Sequence, residues 1–217
     1  MIYTVSDFEI PLETIQGGVG DDLLNPPPRS DGWHLSEIIR DLMNRTVFKN
    51  KRQDFAKLRP EDQKQAVLRW EVGFIWEVIV ENVYRQRMQA RRSAHGVVRQ
   101  SEMTVEGVHM TPDGWRVEDD VEEEYKATWK SSVKLDAFEE EFFEWLVQNR
   151  AYCRALRTNR SEFFILFVNG DYRGSGPQSK KVEVEYTQRE LDENWQMILN
   201  HKALMEREGL RPRNGRR

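Results

Sequence analysis

The sequence contains very little cysteine and has no long hydrophobic run. Its 217 residues include one cysteine, Cys153, which excludes an internal disulfide framework, a cysteine-based zinc site and a four-cysteine iron–sulfur cluster. Such low cysteine usage predicts a reducing, cytoplasmic setting. No apolar stretch approaches the ~20 residues of a membrane-spanning helix, and the amino terminus lacks the pattern of a signal peptide. The sequence therefore predicts no membrane partner.

A large excess of charge of one sign is also absent. The formal net charge is −4, with 38% hydrophobic and 11% aromatic residues, which predicts a folded globule and argues against a polybasic nucleic-acid binder. Nucleic acid is not excluded as a partner, because the placement of charge matters more than its sum. The basic residues cluster in KNKR (49–52), RQRMQARR (85–92), Arg150 with Arg154 and Arg157, and RPRNGRR (211–217).

The length fits one α/β domain. We expect a loop or extended segment over residues 1–33, where three prolines at 26–28 exclude a helix, then a domain over 34–207 and a basic tail over 208–217. Periodicity and capping signals predict helices beginning near Ser36, over 60–92 and over 136–157, with a last helix opened by the capping box of Thr187 and Glu190. The predicted strands are 103–110, 115–117, 121–129, 163–170 and 182–187.

The long helix places a carboxylate on an apolar stripe. At about 100° per residue, one arc of the helix carries Trp70, Gly73, Phe74, Glu77, Val80 and Tyr84. A carboxylate among buried apolar side chains needs a partner, and an arginine or a functional site could supply it. Gly73, one turn before Glu77, would allow another group to approach closely. Glu81 lies on the same arc and is the alternative functional carboxylate.

The hairpin that follows is crowded with acids. Nine positions, Val117–Tyr125, hold six carboxylates. On a strand over 121–129, alternation puts Glu122, Glu124, Lys126 and Thr128 on one face, and Asp113 lies across the hairpin from that face. Two carboxylates beside a lysine would suit Mg²⁺, which prefers oxygen ligands. The same acids would equally suit a solvated turn.

The helix over 136–157 carries polar side chains on its predicted buried face. That face is formed by Phe138, Phe142, Trp145, Gln148, Tyr152 and Leu156. Gln148 and Tyr152 could be core residues satisfied by the backbone, or they could bind a phosphate or a metal-bound water. The flanking Arg150, Arg154 and Arg157 are candidate DNA contacts, although cations near a helix carboxyl terminus also suit the helix dipole.

Taken in order, these motifs resemble a known family. G-x-x-x-E (Gly73 to Glu77), PD (Pro112 and Asp113), E-x-K (Glu124 and Lys126) and Q-h-x-x-Y (Gln148 to Tyr152) are similar to the signature of the PD-(D/E)xK nucleases. The resemblance is greatest to the RecB-type and lambda-exonuclease-like branch, which includes small phage-encoded members. It spans roughly residues 66–187, and Asn149 departs from it because the family has a hydrophobic residue there.

The resemblance implies a restriction-endonuclease-like fold, with a central mixed sheet flanked by helices. It implies that Mg²⁺ or Mn²⁺ is held by Asp113, Glu124 and the backbone carbonyl of Tyr125, with Glu77 as a further ligand or a carboxylate that positions water. His109, on the strand leading to Asp113, is either an additional ligand or an ordinary strand histidine.

The resemblance also assigns roles in catalysis. Lys126 would orient and help to deprotonate the attacking water, while Gln148 and Tyr152 would support the site and the substrate phosphate. The implied activity is that of a metal-dependent DNA nuclease, with an exonuclease favoured, in phage or mobile-element DNA processing. The alternative is an inactive nuclease-fold protein that binds DNA or acts as a scaffold. The sequence has no G-x-x-x-x-G-K-[ST] motif, so a helicase or recombination partner would be a separate chain.

Overall fold

The structure is a computed structural model that describes residues 1–8, 30–49, 57–91, 97–98, 101–174 and 176–212, with side chains described for all of these except 82–98. Its helices are α1 (Leu35–Thr46), α2 (Pro60–Arg91), α3 (Phe138–Glu141), α4 (Phe143–Leu156) and α5 (Gln188–Arg207). Its strands are β1 (Ile2–Asp7), β2 (Trp33–His34), β3 (Val97–Val98), β4 (Met103–Val105), β5 (Val108–Met110), β6 (Gly114–Arg116), β7 (Val121–Thr128), β8 (Arg160–Phe167) and β9 (Gln178–Glu185). None of the helices in these ranges is both long and apolar enough to cross a membrane.

A mixed six-stranded sheet organises the fold, in the order β1-β9-β8-β7-β6-β3. Strands β7 and β8 are parallel, whereas every other neighbouring pair in this sheet is antiparallel. Parallel neighbours need a long crossover connection, which α3 and α4 provide here. A second, three-stranded sheet has the order β2-β5-β4.

Helices cover both faces of the large sheet, as the predicted fold class requires. On one face, Phe163 and Val182 pack with Leu146 and Leu191 of the crossover and final helices. On the other face, Tyr125 and Phe164 pack against α2. The predicted arrangement, a central mixed sheet flanked by helices, is therefore confirmed.

The first strand forms one edge of the six-stranded sheet. Ile2–Asp7 pairs antiparallel with β9, from Ile2 opposite Glu185 to Asp7 opposite Lys180. An extended conformation was expected for this segment, but residue 34 does not mark the start of the folded sheet. The three prolines at 26–28 and the last five residues of the basic tail lie outside the described residues.

The buried side of α2 differs from the predicted stripe. Trp76 and Val80 are buried against Phe8, Tyr125 and Phe164, and the Trp76 indole N–H donates to the carbonyl of Phe164 at 2.8 Å. Trp70 and Phe74, which the sequence predicted on the buried side, are 52% and 43% exposed, so that prediction was wrong. Because apolar residues occur on several sides of this helix, periodicity does not single out the face that packs. The side chain of Tyr84 lies outside the described residues.

The crossover helix predicted over 136–157 is interrupted. A 3₁₀ segment, Ser132–Ala137, precedes α3, and α4 begins only at Phe143. The break falls at Phe142, whose backbone (φ −120°, ψ 27°) is not helical. The Phe142 side chain is buried, and its ring centroid lies 4.6 Å from that of Trp145. Aromatic packing therefore accompanies the break in the helix.

Helix starts were predicted with mixed success. At α5 the Thr187 hydroxyl accepts the Glu190 N–H at 3.2 Å, and Glu190 accepts the Thr187 N–H at 2.8 Å, which confirms the predicted capping box. Helix α1 begins at Leu35, as predicted near Ser36, but its cap residue is His34, whose N–H donates to Glu37 at 3.5 Å.

Thr187→Ala is expected to lower the free energy of unfolding by about 1 kcal/mol, because it leaves the N–H of Glu190 in the first turn of α5 without its side-chain acceptor. Urea unfolding would measure the change. Gln188→Ala, at the exposed neighbouring position, is the control and should change stability by less than about 0.5 kcal/mol. Equal effects of the two substitutions would contradict a capping role.

Candidate metal and catalytic site

The six acids of the hairpin fall into three groups. Glu118–Asp120 lie in the exposed turn. On one face of β7, Glu123 is buried and accepts hydrogen bonds from Arg116 at 2.8 Å and from the Tyr125 hydroxyl at 2.9 Å. Glu122 and Glu124 are buried on the opposite face. The solvated-turn interpretation therefore holds for the first group only.

Asp113, Glu124 and Lys126 converge as the sequence predicted. Asp113 precedes β6 and accepts the backbone N–H of Tyr125 at 2.9 Å, which ties it to the neighbouring strand. The Lys126 ammonium lies 3.9 Å from the Asp113 carboxylate and forms an ion pair with Glu124. Strand alternation produces this arrangement, since residues 124 and 126 share a face.

Glu124 is the most constrained of these groups. Its side chain is fully buried, and the Lys126 ammonium is its cationic partner. Burial raises its pKa to about 7, although the Lys126 charge opposes the shift. Burial would lower the pKa of Lys126, but the Glu124 and Asp113 carboxylates raise it above its usual value. Lys126 is therefore a cation at neutral pH.

Glu122, on the same face of β7 as Glu124, belongs to a buried network of hydrogen bonds. Burial and the nearby Glu124 charge raise the pKa of Glu122 well above its usual value. Glu122 accepts hydrogen bonds from the Asn149 amide and from the Ser161 hydroxyl, the latter at 2.6 Å. The Asn149 oxygen in turn accepts the Tyr186 hydroxyl at 2.7 Å. Asn149, which departs from the family pattern, is thus fully buried and joins three segments of the fold.

Gln148 and Tyr152 form a pair beside this network. The Gln148 amide donates to the Tyr152 hydroxyl at 2.7 Å. Burial raises the pKa of Tyr152, and the charges of Glu124 and Asp113 add to the increase, so the pair lies within their electrostatic reach. The predicted buried face of this helix was partly wrong, because Gln148 is only half-buried while Asn149 and Cys153 are fully enclosed.

Glu77 interacts electrostatically with Lys126. It is half-buried on α2, and its charge contributes to the raised pKa of Lys126. Glu81, the alternative carboxylate, is half-buried one turn further along the helix. The predicted close approach at Gly73 is not found, since no described atom lies within 4 Å of the point that a Cβ would occupy.

Two of the three candidate DNA-contacting arginines are engaged within the fold. Arg154 forms an ion pair with Asp192 at 2.9 Å, and the Arg150 guanidinium lies over the Tyr186 ring at 5.3 Å. Arg157 is exposed and adopts a left-handed backbone conformation (φ 63°) at the end of α4. A role for these arginines in binding DNA stays a prediction.

His109 belongs to a separate cluster. Its Nδ1 lies 3.5 Å from Glu102 and 3.0 Å from the Thr104 hydroxyl, and Glu102 also lies 3.7 Å from Nδ1 of His34. These contacts place His109 in the three-stranded sheet and account for its side chain without a metal.

The donor set at Asp113 and Glu124 fits a partly hydrated divalent cation. Among the described residues, no three His, Cys, Asp or Glu side chains form a metal-binding group. Two carboxylates and the Tyr125 carbonyl would therefore supply oxygen ligands, and waters would complete the shell, as is usual for Mg²⁺. The convergence of the Asp113 and Glu124 carboxylates, of which Glu124 is fully buried, is the observation that favours such an ion.

Comparison with known proteins gives only distant similarities. No family model and no curated protein sequence matches the chain. An alkaline exonuclease from Laribacter hongkongensis is similar in structure, with 16% identity and a TM-score of 0.38 over 57% of this chain. The chain spans 66% of that enzyme, just under two thirds of its length. A phage-related exonuclease from Haemophilus somnus 129PT has 11% identity and a TM-score of 0.40, covering 77% of this chain and 78% of the other.

Proposed function

We propose that this protein is a divalent-metal-dependent DNA nuclease that hydrolyses phosphodiester bonds. The observation that carries the proposal is the convergence of Asp113 and Lys126 on Glu124, a fully buried carboxylate. Burial of a carboxylate is costly unless a cation compensates its charge. In this site a substrate phosphate would lie beside both the divalent cation and the Lys126 ammonium.

The roles of the chain's own groups follow from their positions. Asp113, Glu124 and the Tyr125 carbonyl would hold Mg²⁺ or Mn²⁺, with Glu77 as a further ligand or a carboxylate that positions water. Such an ion, when bound, polarises a phosphoryl oxygen and lowers the pKa of a bound water. Lys126 orients the attacking water, assists its deprotonation through its positive charge, and stabilises the charge that develops on the phosphate.

The surrounding residues keep these groups in place. Glu122, fixed by Asn149 and Ser161, supports Glu124 from the interior. The hydrogen-bonded Gln148 and Tyr152 pair supplies neutral donors for a phosphate oxygen or a metal-bound water. We favour an exonuclease in phage or mobile-element DNA processing, on the resemblance alone, with any helicase or recombination partner on a separate chain.

A time course on end-labelled linear DNA and covalently closed circular DNA tests the function, with Mg²⁺, Mn²⁺ or EDTA present. We expect metal-dependent loss of the linear substrate and survival of the circle. Cleavage of both substrates would support the nuclease and replace the exonuclease assignment with an endonuclease. No cleavage of either DNA with any metal would refute the proposal and favour the inactive DNA-binding or scaffold alternative.

Metal binding is expected to stabilise the folded chain. A free Mg²⁺ or Mn²⁺ concentration a hundredfold above the dissociation constant adds about 2.7 kcal/mol, which corresponds to roughly 5–10 °C in melting temperature for a chain of this size. Glu124→Gln should remove most of the shift, whereas Glu185→Gln, at an exposed position on β9, should keep it. Thermal melts with and without EDTA make the comparison, and equal shifts in the two variants would place the ion elsewhere.

A further inference from the structure

Strand β1 leaves one edge of the large sheet unpaired. It is the terminal strand in the sheet order, and no strand of the described residues pairs with its outer side. Its pairing with β9 runs without interruption from Ile2 to Asp7, so no bulge turns the strand away from solvent. Ile2 and Val5 are 72% and 43% exposed. An exposed, regular edge strand with apolar side chains is a template for pairing with another strand.

The hydrogen bonds to β9 show which backbone groups of β1 face outward. The Phe8 N–H, directly after the strand, donates to the carbonyl of Ser179 at 3.2 Å, one step beyond the last pair of the register. Hydrogen-bonded and non-hydrogen-bonded pairs alternate between antiparallel strands, so the even-numbered residues of β1 direct their backbone groups toward β9. The outer edge is therefore formed by the N–H and C=O groups of the odd-numbered residues, Tyr3, Val5 and Asp7.

Strand β1 lacks the features that usually protect such an edge. It contains no proline and no lysine, two residues that natural edge strands use against unwanted pairing. Its one charged side chain, Asp7, lies at the end of the strand and forms an ion pair with Lys180 at 2.5 Å. This edge is therefore suited to binding another strand.

The strand is complementary to a second copy of itself. If two copies pair antiparallel about a twofold axis at Val5, all three outward-facing residues have partners, because the Val5 residues face each other and each Tyr3 faces Asp7 of the other copy. Three hydrogen-bonded pairs would supply about six backbone hydrogen bonds. The pairs between them join Thr4 to Ser6, whose hydroxyl side chains pair favourably across strands. Like charges do not face each other in this register.

We propose that β1 is a homodimer interface, at which the first strands of two copies pair antiparallel and join their sheets into one. A contact of this kind uses the same surface on both copies and closes at two. It buries few side chains, so we expect a weak dimer with a dissociation constant in the micromolar range. Two strands, β9 and β8, separate β1 from β7, so the interface leaves Asp113, Glu124 and Lys126 open and does not depend on the proposed function.

Val5→Pro tests the pairing. Proline removes an outward N–H and keeps the inward groups that bind β9, and it is accepted on edge strands whose N–H faces solvent. The dimer loses two donors, one from each copy, which should raise its dissociation constant about 5- to 150-fold in sedimentation velocity. Val5→Thr keeps the N–H and a high strand propensity, and should change the constant by about twofold or less.

Far-ultraviolet circular dichroism shows whether these variants are folded. If Val5→Pro unfolds the chain, Val5→Lys replaces it in the comparison. Two lysines directly opposite each other across the axis repel, so this variant should also weaken the dimer.

A cross-link tests the register. Residues on the twofold axis have Cα atoms about 5.5 Å apart, which a disulfide can bridge, so Val5→Cys should form a covalent dimer under mild oxidation. Asp7→Cys is the control, because the two substituted positions then lie four residues apart along the strands, about 13 Å, and should not be linked. The native Cys153 is buried. Electrophoresis without reductant separates the linked and unlinked chains.

Three results would overturn the interface. A wild-type protein that stays monomeric at hundreds of micromolar would show that β1 does not pair with a second copy. A wild-type dimer with the same dissociation constant as Val5→Pro and Val5→Lys would be joined through another surface. Equal cross-linking of Val5→Cys and Asp7→Cys would contradict the twofold axis at Val5.

Discussion

Lys126→Ala is expected to lower the rate of metal-dependent DNA cleavage by about 10²–10³-fold, since the substitution removes a preorganised cation from the charge that develops on the phosphate. The ammonium is held between Asp113 and Glu124, so a mobile counter-ion would not replace it in the same position. Initial rates on linear DNA at saturating Mg²⁺ would measure the loss. Lys130→Ala, at an exposed lysine four residues further along, is the control and should retain the wild-type rate.

A lower cleavage rate of Lys126→Ala reports on catalysis only if the variant is folded. Far-ultraviolet circular dichroism and the melting temperature of Lys126→Ala should therefore be compared with wild type under the same metal concentration. A folded variant that cleaves at the wild-type rate would remove Lys126 from the mechanism. The remaining site would then consist of carboxylates alone.

Asn149→Leu is expected to destabilise the protein by about 3 kcal/mol or more, because it withdraws hydrogen bonds from several buried groups, each of which costs about 1–3 kcal/mol when left unsatisfied. Glu122, Ser161 and Tyr186 all lose a partner. The melting temperature should fall by roughly 6–12 °C for a chain of this size. Asn200→Leu makes the same chemical change at an exposed position of α5 and should shift the melting temperature by no more than about 2 °C.

Leucine at position 149 tests whether the surroundings of Asn149 accept an apolar side chain. The family that the motifs resemble has a hydrophobic residue at this position, so a leucine should fit if its surroundings were apolar. An unchanged melting temperature would show that Glu122, Ser161 and Tyr186 can satisfy one another without the amide. A large decrease would show that this chain has exchanged an apolar contact for a polar network beneath Glu124.

The sequence predicted features that depend on neighbouring residues well. The capping box of Thr187 and Glu190 involves atoms three residues apart, and its geometry follows from local rules. The shared face of Glu124 and Lys126 follows from the alternation of a strand. Asp113 could be placed opposite them because a short hairpin leaves few alternatives.

Features that depend on distant residues could not be predicted. The partners of Asn149 lie at positions 122, 161 and 186, on elements whose contacts with the helix are invisible in a linear pattern, so the residue was interpreted only as a departure. The buried side of α2 was wrong for a related reason. Trp70 and Trp76 are equally apolar, and only the position of Phe164 on the sheet decides which of them is covered.

The pairing of β1 with β9 has a consequence for synthesis of the chain. Asp7 and Lys180 are linked across the two strands although they are 173 positions apart. Strand β1 therefore has to wait for its partner while the intervening residues are translated, at about 5–20 residues per second. Pairings between such distant segments form slowly, because the intervening loop must close before any contact is gained. During those seconds the backbone of β1 has no partner from β9, which exposes it to pairing with other nascent chains.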